Sequence, residues 1–342
     1  MKETMAGNAA ENRIEELIAG LMVKCGLGMV NSPIASVFGG FMHKMYKVIT
    51  ECGTYAVKYL NPEVMGRPGV HDHFARAEKL ERILEEKGIP IVPAIIVDGR
   101  KMQNINGRYF YIFHWQEGKI TDWNQISYDA CRTAGNILGR IHAIAPQTVA
   151  HKEPPLSQIN WQEYLHRAEV QGNEIAPILA ECKPLLTYAE QELNLARAAL
   201  PDIQCITNED MDPKNVMWHE GNARVIDLEC LDYGNPVSGA LQLALQWSGV
   251  ITCNLDLEKM AAFFDGYLAA YDNGFRSYGN VFGLAYTWVE WLEYNIQRAL
   301  GTCADEAEQH MGILEVRNAV DRIRYIYDNE EMIKTVLRNI FT

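Results

Sequence analysis

Residues 205–236 read CITNEDMDPKNVMWHEGNARVIDLECLDYGNP. This stretch, from Ile203 to Tyr233, is a non-helical island in an otherwise helical half of the chain. Two short apolar strands are predicted, Asn215–Trp218 and Ala223–Ile226, flanking a turn at His219-Glu220-Gly221-Asn222. A carboxylate or an amide stands at an end of each. Asp210 and Asn215 are five residues apart on a loop that Pro213 stiffens, and Asp227 follows the apolar pair Val225-Ile226. Taken singly, each of these reads as an Asx turn closing a loop. As an ordered set they match what phosphoryl transfer from a nucleotide requires. One carboxylate must orient or deprotonate the acceptor hydroxyl. An amide oxygen and a second carboxylate must hold magnesium on the phosphates.

Outward from this island, apolar residues recur at helical spacing from Gly118 onward. Helices are predicted over 126–143, 159–172, 174–198, 237–250, 256–271, 281–299, 304–327 and 330–340. The first third has another pattern. An amphipathic helix over 10–25 precedes strand patterns that run from Val37 to His114. Residues 42–50 and 55–60 flank the turn Glu51-Cys52-Gly53-Thr54. A further strand is predicted at Pro93–Val97, and Asn106-Gly107 joins 101–105 to 108–114 as a hairpin. One helix, 72–87, is inserted, with Phe74, Ala77, Leu80, Ile83 and Leu84 on one face. Asp72 is placed to cap it and Gly88 to end it. The expected architecture is α+β and bilobal. A small antiparallel-sheet N-lobe spans 1–115, and a larger, mostly helical C-lobe spans 116–342.

The segment Asn208–Trp218 resembles the HxDxxxxN catalytic loop of aminoglycoside phosphotransferases and choline kinases. Val225-Ile226-Asp227-Leu228-Glu229 is similar to their VIDWE, the counterpart of the protein-kinase DFG. The resemblance covers about 36–245 and implies a protein-kinase-like fold that binds ATP or GTP between its lobes. By resemblance, Asp210 is the catalytic base, and Asn215 and Asp227 are Mg2+ ligands. Lys58, within Tyr55-Ala56-Val57-Lys58-Tyr59, would hold the α- and β-phosphates. Glu78 would pair with it, and Glu81 is the fallback on the same helix face. Gly39 and Gly40 would lie in the turn over the phosphates, and the backbone of His114 and Gln116 would meet adenine at the hinge. His142, in Leu138-Gly139-Arg140-Ile141-His142, reads as a packed structural histidine. Two positions depart from the pattern. Asn208 stands where the family usually has histidine, and Gly239 where an aspartate usually braces the catalytic loop.

Composition narrows the partners. The chain has 342 residues, 48% of them hydrophobic, which is ample for a large core. A net charge of −13 argues against a nucleic-acid surface. No apolar run approaches the roughly 20 residues that span a bilayer. The N-terminus lacks the order of a signal peptide, so no membrane partner and a cytoplasmic location are expected. The eight cysteines form no CxxC pair, and reduced, buried thiols are expected.

The charge is uneven. Residues 1–200 hold 21 basic and 22 acidic side chains, whereas 201–342 hold 10 and 22. An acidic acceptor site for a cationic molecule would account for part of this. The resemblance places acceptor contacts on the last helices, at Glu290, Trp291, Glu293 and Tyr294, and just past the magnesium aspartate at Glu229 and Asp232. The expected activity is Mg-dependent transfer of a phosphoryl group from ATP or GTP to a small hydroxyl-bearing, cationic molecule such as an aminoglycoside. The alternative is a metabolic kinase for choline, ethanolamine, methylthioribose or a homoserine-like acceptor, and after it a nucleotide-binding pseudokinase. Nothing in the sequence distinguishes a monomer from a homodimer.

Overall fold

The structure is a computed structural model that describes residues 2–37, 43–148, 156–272, 278–302 and 306–341. The chain divides into two compact units. One comprises Met1–Lys119 and Met217–Cys230, the other Ile120–Val216 and Leu231–Thr342. The division is therefore not one cut at 115/116, because residues 217–230 group with the first unit.

The first unit opens with helix α1 (Lys2–Lys24), followed by strands β1 (Ala35–Val37), β2 (Lys44–Thr50) and β3 (Gly53–Tyr59). Then come the short helix α2 (Pro62–Met65), helix α3 (Val70–Glu86), and strands β4 (Gln103–Ile105) and β5 (Arg108–His114). The five strands form one sheet in the order β1-β2-β3-β5-β4. Every pairing in it is antiparallel. Ile18, Leu21 and Met22 of α1 are fully buried with Tyr46, Val48, Val57, Phe110 and Ile112 of the sheet. Each such side chain contributes about 1.5–3 kcal/mol by leaving water. The hairpin predicted at Asn106-Gly107 forms, with φ of 50° and 76°, which Asn and Gly tolerate best.

Three details of the first unit differ from expectation. The inserted segment holds two helices, since Asn61 caps α2 with Pro62 at its first turn. Helix α3 starts at Val70 with Gly69 as a cap that offers no side chain, so Asp72 lies within the first turn instead of at the cap. Residues 93–97 make isolated bridges instead of a strand, Ala94 with Phe113 and Val97 with Arg100. Pro93 has no N–H, and the Asp98-Gly99 turn folds the segment back on itself. Just upstream, Val92 N donates to Val225 O (2.9 Å) and Val225 N to Pro90 O (2.8 Å). These bonds fix residues 217–230 to the first unit.

The chain enters the second unit at β6 (Lys119–Ile120) and continues with α4 (Tyr128–His142), β7 (Gln147–Thr148), α5 (Trp161–Val170) and α6 (Ala176–Ala198). The island follows, with β8 (Ile203–Asn208), then β9 (Val216–His219) and β10 (Asn222–Val225), which from Met217 on belong to the first unit, and β11 (Leu231–Gly234), back in the second unit. Helices α7 (Pro236–Trp247), α8 (Leu257–Ala270), α9 (Trp288–Gln297), α10 (Glu306–Asp328) and α11 (Glu330–Phe341) complete it. The expected helix 281–299 is split. Residues 279–287 are 3₁₀ and only 288–297 are α-helical. Strands β8 and β11 lie beyond the two strands that apolar alternation singled out, and they pair antiparallel with each other.

Helices α4 and α8 cross at glycines. A Cβ on Gly135 would lie 1.9 Å from Phe263 O, and one on Gly266 would lie 1.9 Å from Arg132 O. Backbone meets backbone there, and no larger residue fits.

Candidate active site

Lys58 is the fourth residue of the predicted YAVKYL strand, and in the structure it lies on β3 at only 7% exposure. Its Nζ donates to Asp227 Oδ1 at 2.8 Å and to Glu229 Oε2. Burial alone would lower the pKa of this ammonium. The Asp227 and Glu229 carboxylates outweigh burial and raise it. Glu229 moves the other way. Burial opposes its ionisation, but His43 and Lys58 hold its carboxyl well below the usual range. His43 Nδ1 accepts from Asn61 N (3.0 Å), which leaves Nε2 to face Glu229 Oε1 at 3.3 Å. Asp227 has φ of 57°, a left-handed conformation uncommon for residues other than glycine, though less so for aspartate and asparagine than for most. Lys58, His43, Asp227 and Glu229 all belong to the first unit.

The expected Lys58–Glu78 pair does not form. Glu78 Oε1 accepts from Met102 N (3.1 Å) and from the Tyr111 hydroxyl (2.9 Å). The fallback, Glu81, is no partner either, because it pairs with the fully buried Lys101 at 2.9 Å and accepts from Ala94 N at 2.7 Å. Glu78 and Glu81 thus serve to tie α3 to the 93–103 segment. Gly39 and Gly40 lie outside the described residues. At the expected hinge, the Gln116 amide donates to the His114 carbonyl at 3.3 Å.

In the second unit, β8 ends at Asn208 and delivers the loop. Asn208 is fully buried. Its Oδ1 accepts from Asp210 N (3.3 Å) and its carbonyl from Met211 N (3.2 Å). The asparagine that replaces the usual histidine therefore shapes the turn with its own side chain. Asn215 Nδ2 donates to both the carbonyl (2.8 Å) and Oδ2 (2.9 Å) of Asp210. With its NH2 group used in this way, the amide oxygen of Asn215 is the part left for a cation. Asp212 caps the turn Pro213–Asn215.

Lys214, absent from the sequence reading, bridges two carboxylates. Its Nζ is 3.1 Å from Asp210 Oδ1 and 2.7 Å from Asp212 Oδ2. Burial works against the charge, yet the two aspartates push its pKa up to about 12. The signal was present, a lysine four residues after the base. His43 had no comparable local signal, since its partner lies nearly two hundred residues away.

The aspartate missing at position 239 has a physical counterpart. A Cβ on Gly239 would already lie 2.9 Å from Thr207 Oγ1. Thr207 in turn bonds His142 Nε2 at 3.1 Å, and His142 Nδ1 meets the Tyr267 hydroxyl at 2.9 Å. His142 is fully buried, and burial pushes its pKa down to about 3, so it is a neutral structural histidine as expected. The loop is held elsewhere, by Trp247 Nε1 donating to Met211 O at 2.9 Å.

The acceptor candidates are largely engaged. Glu229 belongs to the Lys58 cluster described above. Glu290 makes a bidentate pair with Arg197, both bonds 2.7 Å. Glu293 accepts from the Tyr164 hydroxyl at 2.9 Å. Trp291 and Tyr294 stack with ring centroids 5.5 Å apart, and Trp291 is exposed. Asp232 Oδ1 accepts from Tyr233 N (2.8 Å) on β11. Of the described cysteines, Cys131, Cys182 and Cys205 are buried as expected, but Cys52 and Cys230 are exposed.

Among the described residues, no group of three His, Cys, Asp or Glu side chains is placed to hold a metal by itself. Each unit by itself offers an oxygen ligand of the kind magnesium takes, the Asp227 carboxylate in the first and the Asn215 amide in the second. That ion is usually held by one or two protein oxygens together with substrate phosphates. Among the described residues, no helix is long and apolar enough to cross a membrane.

A small antiparallel sheet, a larger helical unit and an Asp–Asn loop closing on itself define a kinase-like fold. The model of the phosphotransferase enzyme family matches residues 35–279, well over half of the chain, and the chain belongs to that family. It is a phosphotransferase with an alcohol group as acceptor. Solved structures share the fold. A spectinomycin phosphotransferase in complex with ADP and spectinomycin superposes with TM-score 0.64 at 12% identity, over 92% of this chain and 98% of that one. A microcompartment-associated aminopropanol kinase gives 0.60 at 12%, over 91% and 97%. The Plasmodium vivax ethanolamine kinase gives 0.55 at 14%, over 84% and 81%. No curated protein matches the chain in sequence.

Proposed function

We propose that the protein is an ATP- and Mg-dependent kinase of a small, hydroxyl-bearing, cationic molecule. The observation that carries this reading is the Lys58–Asp227 pair, a buried ammonium 2.8 Å from a carboxylate. In this reading Lys58 holds the α- and β-phosphates. Asp227 and Asn215 hold magnesium, which when bound neutralises phosphate charge. Asp210 orients the acceptor hydroxyl and takes its proton as the new P–O bond forms. With its oxygens held by Asn215 and Lys214, Asp210 is fixed in orientation before substrate arrives, which is the main service a protein renders to this reaction. GTP in place of ATP is distinguished by the same assay with each nucleotide.

Two acceptor classes fit, an aminoglycoside or a small amino alcohol such as ethanolamine or aminopropanol. The engagement of Glu290 by Arg197 and of Glu293 by Tyr164 favours the smaller one. An aminoglycoside carries several ammonium groups and needs several uncommitted carboxylates. A small amino alcohol needs one. Spectinomycin, ethanolamine, choline and aminopropanol, each assayed for ADP release with mass spectrometry of the product, separate the two. Release with none of them, and with no other hydroxyl compound of a wider panel, would overturn the kinase reading.

A further inference from the structure

The catalytic loop carries a positive charge whose one role above, holding Asp210, uses a single N–H bond. Lys214 Nζ donates to Asp210 Oδ1 and Asp212 Oδ2. An ammonium has three N–H bonds, and among the described residues the third has no protein acceptor. The side chain keeps 36% of its surface open. Asp212, by contrast, is buried, and its other oxygen accepts from Lys214 N at 3.0 Å. The turn thus grips the lysine at both ends, through its own backbone N–H and through its ammonium. What is built here is a fixed cation, in contact with the base carboxylate, with one bond direction open.

We propose that Lys214 is a catalytic residue that binds the transferred phosphoryl group. The assignment rests on the kinase reading of Asp210. An acceptor oxygen held by Asp210 lies beside the phosphorus it attacks, so an ammonium touching that carboxylate meets the equatorial phosphoryl oxygens. The acceptor O–P bond forms, the bond from phosphorus to the leaving nucleoside diphosphate breaks, and the acceptor proton passes to Asp210. Lys214 stays protonated throughout. It offsets the repulsion that Asp210 and Asp212 would otherwise exert on an incoming phosphate, and it acts where charge is redistributed in the transition state.

The test compares Mg-ADP with the γ-phosphate-bearing analogue Mg-AMP-PNP by calorimetry on the full chain. Lys214→Met is expected to bind Mg-AMP-PNP about tenfold more weakly while Mg-ADP changes less than twofold, the loss of one charge-assisted bond to the γ-phosphate alone. Lys214→Arg, which keeps a cation, should retain both affinities within about threefold. Equal losses for the two nucleotides, or no loss for either, would show that the lysine only braces the loop and would overturn the proposal. If Lys214→Met unfolds at lower temperature than the wild type, Lys214→Gln supplies the same comparison. Should the wild-type protein bind neither nucleotide, it is the kinase reading itself that fails.

Discussion

Asp210 sits between two side chains that fix it, Asn215 on one oxygen and Lys214 on the other. Replacing it by asparagine keeps the shape and removes the proton acceptor. Asp210→Asn is expected to cut turnover by about 10²–10⁴ while Mg-ADP affinity stays within a few-fold. Steady-state kinetics beside calorimetry checks both halves, and near-full kcat would remove Asp210 from the mechanism. His142 offers a second reading, through stability. Its folded pKa is depressed to about 3, whereas an unfolded histidine titrates near 6.5. Above pH 6.5 neither state binds the proton, and the full stability is present. As pH falls from 6.5 toward 3, only the unfolded chain takes the proton up, so stability is lost. At pH 5 that loss is about 2 kcal/mol. Urea unfolding at pH 7.5 and pH 5 should show the wild type losing about that much more than His142→Gln. Equal losses would mean the imidazole is open to protonation in the folded state.

Helices α4 and α8 meet through reciprocal glycines, and this contact brings His142 of α4 against Tyr267 of α8. Gly135 faces the Phe263 carbonyl and Gly266 the Arg132 carbonyl, each with room for no further atom. Because the obstacles are backbone, no rotamer change relieves them. Gly266→Ala is expected to destabilise by about 1–3 kcal/mol or more, through separation of the two helices. A Gly139→Ala change meets Tyr267 O at 2.6 Å and the Ala270 methyl at 2.9 Å and should cost less. Thermal unfolding of the two variants gives the order. Helix propensity alone predicts the opposite sign for all of them, since alanine favours helix over glycine by about 1 kcal/mol. The α3 glutamates show the same precedence of packing over local pattern. Their spacing put both on one face, but Tyr111, Met102 and Lys101 decided what that face meets.

The net charge of −13 is a property of the whole chain, and residues 201–342 hold 22 acidic against 10 basic side chains. Many of those acids are paired. Arg197, Arg298, Arg322 and Lys334 engage Glu290, Glu308, Glu315 and Glu330. The remainder leaves this stretch net negative, which under the proposed function would attract a cationic acceptor. kcat/KM for a cationic acceptor is therefore expected to fall several-fold between about 20 and 300 mM salt, as the screening length shortens from roughly 20 to 6 Å. KM for the nucleotide should not follow it. A salt-independent kcat/KM would reduce the asymmetry to a matter of solubility. Glu290→Gln tests the local contribution. Because Arg197 already neutralises Glu290, this change should leave the acceptor KM within about twofold, unlike a free carboxylate in a binding site.

How much was legible beforehand follows from the range of the interactions involved. The α+β division, the hairpin at Asn106-Gly107 and most helices were readable, because apolar periodicity and turn chemistry act within a few residues. The closeness of Asp210 and Asn215 was readable for the same reason, since the two lie five residues apart on a loop that contains a proline. The partners of Lys58 were not. They come from residues 169 and 171 positions away, fixed to the first unit by two backbone bonds between Pro90–Val92 and Val225. The same holds for the Trp247 bond that holds the loop in the absence of a brace at position 239, and for the commitment of Glu290 to Arg197. A sequence states which charges exist and where along the chain they recur. Which charge neutralises which is decided by a buried contact, whose energy depends on distance and desolvation and on no spacing that can be counted.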